Sequence, residues 1–262
     1  MLRPVTSVAL TLVGLIAFFV ALIVCMEAGR RAGRKAFGEG NRTPPAGLGT
    51  VETVAFGLLG LLLAFTFSGA AARLDARRTQ IVDEANAIGT AWLRIDTVPP
   101  SAQPKLRDGL RKYADSRIAV YRTFSQEGLD AARGEYARST GLQNEIWADA
   151  VAASRDVLPA TIVLLPALNS MFDIAATRLA ATQMHPPAIV YVVLALISLV
   201  CGLLVGYEMG ASPVASRAHM IALALILAFT LYVILDFEYP RLGFIRIDNF
   251  DQLLVQVRAS MG

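Results

Sequence analysis

The chain has 262 residues, of which 55% are apolar and only 17% are charged, and its formal net charge is +3. Soluble proteins carry nearer a quarter charged residues, so this composition excludes a disordered chain and argues against a soluble enzyme. The charged residues also lie outside four long apolar runs, and this distribution predicts an integral membrane protein.

The four apolar runs contain no Asp, Glu, Lys or Arg. They are Val5 to Met26, Thr53 to Ala72, Pro187 to Tyr207 and His219 to Leu235. A spanning helix needs about 20 apolar residues, and the first run is longer than the core of a signal peptide. We therefore interpret all four as spans that form two helical hairpins, residues 1–72 and residues 187–235.

Between the hairpins, residues 73–186 hold 14 basic and 13 acidic residues. The apolar residues here recur at helical spacing, and breaks are predicted at Pro99-Pro100 and Gly128. We predict a soluble helical bundle inserted between spans two and three of an all-α membrane protein, with the second span continuing into its first helix. Residues 236–262 are expected to form an amphipathic segment that packs back onto this bundle.

One apolar stretch in the insert runs from Val157 to Leu168 and contains two prolines. It is too short for a span, so we assign it to a core or an interface. A separate helix is expected from Ala167 to Ala181.

Small residues recur at every fourth position of the second span. They are Gly60, Ala64, Ser68 and Ala72, and Phe56 extends the same face by one turn. Small residues let helices pack closely in lipid, which is one interpretation. The other is that Phe56, Gly60, Ala64 and Ser68 line a narrow pore in a ring of such helices, since constrictions of low charge gate by dewetting.

Charged residues gather where the second and fourth spans end. They are Arg73, Arg77, Arg78, Asp236, Glu238 and Arg241. Two interpretations stay open for them. Either they form interfacial ion pairs that attach the hairpins to the bundle, or they form a vestibule that attracts ions.

Motifs of catalysis are absent from the sequence. It contains no glycine-rich nucleotide motif, no nucleophile elbow and no cluster of Cys and His with metal-ligand spacing. We therefore predict no enzyme activity, no cofactor and no metal. The basic residues flank the predicted spans, so we expect membrane lipid as a partner and no nucleic acid.

Five segments resemble, in order, the bestrophin-like family of uncharacterised bacterial integral membrane proteins. They are Phe56 to Thr79, Asp83 to Ile95, Leu165 to Ile174, Met184 to Tyr191 and Leu235 to Asn249. This family is distantly similar to bestrophins, which are pentameric anion channels whose second helix lines the pore. The resemblance implies a homo-oligomer, a pentamer by analogy, that conducts small anions along the second span. The sequence departs from bestrophins in having mostly small residues at the neck and no acidic calcium clasp, so calcium activation is not implied.

Membrane orientation does not follow from charge. The basic residues near the span ends number six on one side and seven on the other, although the compact first loop slightly favours placing that loop inside. The resemblance implies instead that the insert and both termini are cytoplasmic, in a bacterial inner membrane. Two functions stay open: an anion channel, or a non-conducting sensor or scaffold whose helical insert docks a partner.

Overall fold

The computed structural model describes residues 4–37, 47–211, 217–241 and 243–262, and these residues form eight α-helices and no strand. Parts of the two loops predicted within the hairpins lie outside the described residues. The helices are α1 (Pro4–Phe37), α2 (Leu48–Arg94), α3 (Gln103–Glu127), α4 (Leu129–Ser154), α5 (Leu158–Ala181), α6 (Ala188–Met209), α7 (Arg217–Glu238) and α8 (Gln252–Ala259). The secondary structure of these described residues is all-helical, as predicted.

The described residues fall into two compact units. Leu74–Met184 and Pro240–Gly262 make up most of one, which we call the bundle unit. Val8–Arg73 and His185–Tyr239 make up the other, which we call the apolar unit. Whether the units correspond to domains with the predicted boundaries stays a prediction.

Helix α2 contributes to both units and contains 47 residues without a proline. The prediction that the second apolar run continues into the bundle is therefore confirmed. At 1.5 Å per residue the helix is about 70 Å long, more than twice the ~30 Å thickness of a hydrocarbon core. The helix is thus too long to lie within one hydrocarbon core over its whole length.

Helix α1 extends to Phe37, although the glycine- and proline-rich segment from Gly29 to Thr50 predicts a loop. The difference arises from the packing of α1 against α6. A Cβ on Gly29 would lie 2.1 Å from the carbonyl oxygen of Leu203, and one on Gly206 would lie 2.0 Å from that of Met26. Glycine therefore serves here as the residue that lets two helix backbones touch, and not as a helix breaker.

Five helices are long and apolar enough to cross a membrane: α1, α2, α5, α6 and α7. The sequence predicted four spans, and α5 is the additional candidate. The predicted division of α5 into an apolar stretch and a later helix was wrong, because the helix is continuous. Pro159 lies in the first turn, where a proline is tolerated, and Pro166 is accommodated in the interior.

The core of the bundle unit is built from α2, α3, α4, α5 and α8. Leu110, Tyr113, Leu164 and Met171 are all completely buried in it. Leu254 of α8 joins the same core, which confirms that the C-terminal segment packs onto the bundle. The predicted helix breaks are also present: a 3-10 turn (Ile95–Thr97) precedes Pro99-Pro100, and Gly128 has φ +94° between α3 and α4.

Candidate functional site

The stripe of small residues on α2 is exposed in the apolar unit. Gly60, Ala64 and Ser68 are all exposed, and Phe56 is half-buried. Among the described residues, no atom of a neighbouring element lies within 4 Å of a Cβ built on Gly60. Leu59, on the adjoining face, is only 1% exposed. The described part of this chain thus leaves the small stripe of α2 uncovered, together with large side chains of the same helix such as Leu58, Leu61 and Phe65.

Arg73 and Glu238, two of the six charged residues predicted as a cluster, form an ion pair in the apolar unit. The Arg73 Nη2 lies 2.8 Å from Oε2 of Glu238, and its Nε donates to the same carboxylate. The Nδ1 of His185 lies 2.9 Å from Oε1 of Glu238. Glu238 is completely buried, so these partners offset the cost of removing its charge from water.

Arg77 has a structural place in the bundle unit. Its side chain is buried, and it donates from Nε to the carbonyl oxygen of Ala181 and from Nη2 to that of Met184, at 3.3 and 3.1 Å. It therefore satisfies carbonyl groups where α5 ends, which the helix itself leaves without donors. Arg78 pairs with the exposed Asp75 one turn earlier, at 3.2 Å.

Arg241 is the centre of a second set of contacts in the bundle unit. Its Nη1 lies 2.7 Å from Asp248 Oδ1, 2.9 Å from Asp251 Oδ2 and 2.7 Å from Ser125 Oγ. Asp236 is buried in the apolar unit. Of the six predicted residues, the bundle unit holds Arg77, Arg78 and Arg241 and the apolar unit holds Arg73, Asp236 and Glu238. A role for them in attracting ions stays a prediction.

A buried charge network in the bundle unit was not predicted from the sequence. Glu84 is completely buried, and its Oε1 lies 2.5 Å from Arg117 Nε. Its Oε2 accepts hydrogen bonds from Arg178 Nη1 and, at 2.9 Å, from the Tyr121 hydroxyl. Arg117 Nη2 donates in turn to that hydroxyl. The second terminal nitrogen of Arg178 reaches Asp251 at 3.1 Å, so α2, α3, α5 and the segment before α8 are joined by charge.

The network also fixes the ionisation of its members. Burial alone would raise the pKa of Glu84, but the guanidinium groups of Arg117 and Arg178 outweigh it and hold that pKa below its usual value. Burial, together with the negative charge of Glu84, raises the pKa of Tyr121. The carboxylate is thus ionised and the tyrosine neutral over the physiological pH range.

The sequence does contain a signal for this network. Glu84 lies on the same face of α2 as Ile81, Ala85 and Ile88, all of which are buried. Arg117 and Arg178 interrupt the apolar faces of α3 and α5 in the same way. A charged residue at a core position of an amphipathic helix indicates a buried ion pair, provided that an oppositely charged residue breaks the pattern of another helix.

A cavity of about 200 Å³ lies within the bundle unit, beside this network. Its buried residues include Arg117, Tyr121 and Arg178, and its exposed residues include Arg133 and Gln183. In the described part of the chain, no group of three or more His, Cys, Asp and Glu side chains is arranged to hold a metal ion.

Comparison with known proteins gives one match. A protein-family model described as Bestrophin-like domain matches residues 20–249 of the chain. The matched range contains the α2 stripe, the α1–α6 contact and the buried charge network apart from Asp251. No curated protein and no solved structure matches the chain.

Proposed function

Because this chain belongs to the bestrophin-like family, we propose that it is an oligomeric membrane protein that conducts small anions, with α2 lining the pore. The observation that carries the proposal is the exposed small stripe at Gly60, Ala64 and Ser68. The described chain achieves its closest helix packing elsewhere, through the glycines of α1 and α6. A ring of chains, a pentamer by analogy with bestrophins, would place the stripe around an axis.

The composition of the bundle unit supports a topology with two crossings between its two parts. The unit contains Leu74–Met184 and Pro240–Gly262, and α6 and α7 lie between these segments in the chain. Both segments of one compact unit lie on the same side of a membrane. The intervening chain therefore crosses an even number of times, and α6 and α7 supply two crossings.

Contacts at both ends of α5 support placing this helix in the bundle and not in the bilayer. Near its start, Arg94 Nη1 donates to the carbonyl oxygen of Val163 at 2.8 Å. Near its end, Arg178 bonds Glu84. Charged side chains of the bundle unit thus meet α5 at two levels more than 20 Å apart by helix geometry. The spans are then α1, the apolar part of α2, α6 and α7. The bundle unit and both termini lie on the cytoplasmic side of a bacterial inner membrane.

The basic residues predicted at the exit of span two differ in what they can offer an anion. Arg73 is paired with buried Glu238, and Arg77 bonds carbonyl oxygens. Arg78 has a partly exposed side chain whose one described ion pair, with exposed Asp75, is weak in water. We therefore assign Arg78 as the residue that attracts anions to the pore.

The test is anion efflux from liposomes. Wild-type protein reconstituted into chloride-loaded liposomes is expected to release chloride, and cryo-EM of the same preparation is expected to show a ring with α2 at the axis. Ala64→Trp places an indole ring on the stripe and is expected to reduce efflux at least tenfold, because the ring fills a narrow conduit.

The matched control is Ala222→Trp, the same change at an exposed position of α7. It is expected to leave chloride efflux within twofold of wild type. Absence of efflux from wild-type liposomes, or equal loss of efflux in both variants, would contradict the proposal. So would a particle without axial symmetry in which the stripe is buried against another helix.

The cavity in the bundle unit favours a second function, a non-conducting membrane sensor whose helical insert recognises a partner. Its buried arginines beside a mostly apolar lining are features of a recognition site. This alternative predicts no chloride efflux from any variant, while ligand binding to the bundle unit is retained.

A further inference from the structure

We propose that the cavity in the bundle unit binds a small organic monoanion, a short-chain or aromatic carboxylate, with Arg117 as the contact for the carboxylate. The site is distinct from the α2 stripe and does not depend on anion conduction. It combines a cavity with a buried guanidinium nitrogen that lacks a partner, and each of these observations points to a ligand.

Arg117 is held rigidly by its surroundings. Its side chain is 1% exposed, and its Nε and Nη2 are bonded to Glu84 and Tyr121. The guanidinium carbon lies 5.0 Å from the centre of the Tyr121 ring and 5.6 Å from that of Tyr136. A cation fixed between two rings and a carboxylate loses little conformational entropy when a ligand binds.

The Nη1 of Arg117 is the unused donor of this arrangement. It is buried and has no hydrogen-bond partner among the described residues, and Arg117 lines the cavity. An unsatisfied buried donor costs about 1–3 kcal/mol, and more when the group is charged. Arginine donates and never accepts, so a ligand that satisfies this nitrogen presents an acceptor oxygen.

The charges around the cavity favour an anion over a neutral acceptor. Arg117, Arg133 and Arg178 line it, and no carboxylate does. Glu84 contacts two of these arginines but is not part of the lining. The hydroxyl of Tyr121 is already committed to Glu84. The polar end of a ligand therefore meets guanidinium groups inside the cavity, while the carboxylates that pair with them, Glu84 and Asp130 among them, lie outside its lining.

The apolar walls of the cavity determine which group can be attached to the carboxylate of the ligand. They are formed by Val120, Phe124, Ala132, Ala137 and Leu179 together with the rings of Tyr121 and Tyr136. The volume of about 200 Å³ is below the range of about 300–1,000 Å³ typical of sites for drug-sized ligands. A single small apolar group attached to a carboxylate matches both the size and the lining, whereas a nucleotide or a lipid tail is too large.

Benzoate is the probe for this site. Full-length protein in detergent is titrated by calorimetry, and its thermal unfolding is followed with increasing benzoate. Benzoate is expected to bind and to raise the midpoint of unfolding with concentration, because it binds the folded state. Benzamide, which has the same shape and no charge, is expected to bind at least tenfold more weakly. Equal binding of the two, binding of chloride but not benzoate, or no binding of benzoate would overturn the proposal.

Variants locate the binding. Ala137 is exposed at the rim of the cavity, so Ala137→Trp is expected to weaken benzoate binding at least tenfold while leaving unliganded unfolding unchanged. Ala131→Trp is the control, since Ala131 is exposed on the same helix but does not line the cavity. Unchanged binding by Ala137→Trp would overturn the assignment to this cavity.

Two further variants distinguish the carboxylate contact at Arg117 from the stripe on α2. Arg117→Lys is expected to lose benzoate binding because a lysine lacks the donor fork; if it does not fold, Ala137→Trp and the benzamide comparison decide. Ala64→Trp on the α2 stripe is expected to bind benzoate as wild type does. Failure of the channel proposal and failure of this site are therefore distinguishable.

Discussion

Glu84 shows how one buried side chain can determine whether the helices of the bundle unit pack together. It is completely buried and accepts hydrogen bonds from three side chains on α3 and α5. A buried ion pair adds little net stability relative to an apolar core, but removal of one partner leaves an uncompensated charge inside the protein. The carboxylate is thus needed because Arg117 and Arg178 are buried with it.

Glu84→Gln is expected to lower the free energy of unfolding of the bundle unit by about 3–5 kcal/mol at neutral pH, since buried Arg117 loses its counter-charge and buried Arg178 keeps only Asp251. Both tryptophans of the chain, Trp92 and Trp147, lie in this unit, so their fluorescence reports its unfolding. Glu127→Gln, at an exposed position, is the control and is expected to change stability by less than about 0.5 kcal/mol.

The pH dependence of this difference follows from the lowered pKa of Glu84. A carboxylate with a pKa lower in the folded than in the unfolded state contributes stability above its unfolded pKa, about 4.3, and loses it as the pH falls through the folded value. Wild type should therefore exceed Glu84→Gln in stability at pH 5 and above, and the two should converge in stronger acid. A difference that persists unchanged into strong acid would contradict this account.

Among the elements, α1 and α6 carry the closest packing in the apolar unit. Gly29 and Gly33 of α1 face backbone atoms of α6, and Gly206 of α6 and Gly210, which directly follows α6, face those of α1. In each case a Cβ would lie within 3 Å of a backbone atom, which cannot move independently of its helix. These backbone contacts therefore fix the register in which α1 packs against α6. On the α2 stripe, by contrast, Gly60 has no neighbouring atom within 4 Å among the described residues.

Gly29→Ala is expected to destabilise the apolar unit by at least about 1–3 kcal/mol through overpacking, because its Cβ would meet the Leu203 carbonyl oxygen at 2.1 Å. Gly14→Ala, on the same helix and with no neighbouring atom within 4 Å, is expected to be neutral or slightly stabilising. The fraction of monodisperse protein after heating, measured by size-exclusion chromatography, distinguishes them. Equal retention by both variants would show that the close contact is not needed.

A helix could be predicted where its apolar content determines its extent. It could not be predicted where contacts between particular atoms determine its extent. The long α2 was predictable because a charge-free run leads into an amphipathic one without a proline. The end of α1 was not predictable, because a single sequence does not distinguish a glycine at a contact between helices from a glycine in a loop. Polar contacts within the bundle were predictable for the segment Asp83 to Asn86, but the partners of Glu84 were not, because a search for apolar periodicity passes over charges that occupy core positions of other helices.

For the whole molecule, the topology depends on the bundle unit being assembled from chain segments on both sides of α6 and α7. The two segments are joined by charge, since Asp251 of the later one reaches Arg178 of the earlier one and also binds Arg241. Such contacts form only if both segments are in the same compartment. The membrane orientation of the C-terminus is therefore the orientation of the entire bundle unit.

Reporter fusions at Gly262 test this orientation. A fluorescent protein fused there is expected to be bright and an alkaline phosphatase inactive, because we place the C-terminus in the cytoplasm. The same pair of reporters fused after Met184 is expected to behave identically, since both sites belong to one unit. An active phosphatase at both sites would reverse the orientation, and opposite results at the two sites would exclude two crossings by α6 and α7.

The late position of the last segment of the bundle unit has a consequence for biosynthesis. The ribosome makes Asp248, Asp251 and Leu254 only after α6 and α7 have been synthesised, yet Leu254 belongs to the core that begins with α2. Until then Arg178 has Glu84 as its one acidic partner in the network, and the hollow that receives Leu254 is open. The bundle unit thus cannot be completed until α6 and α7 have been synthesised, so a chain that is truncated before Leu254 leaves an unfinished core exposed to proteases.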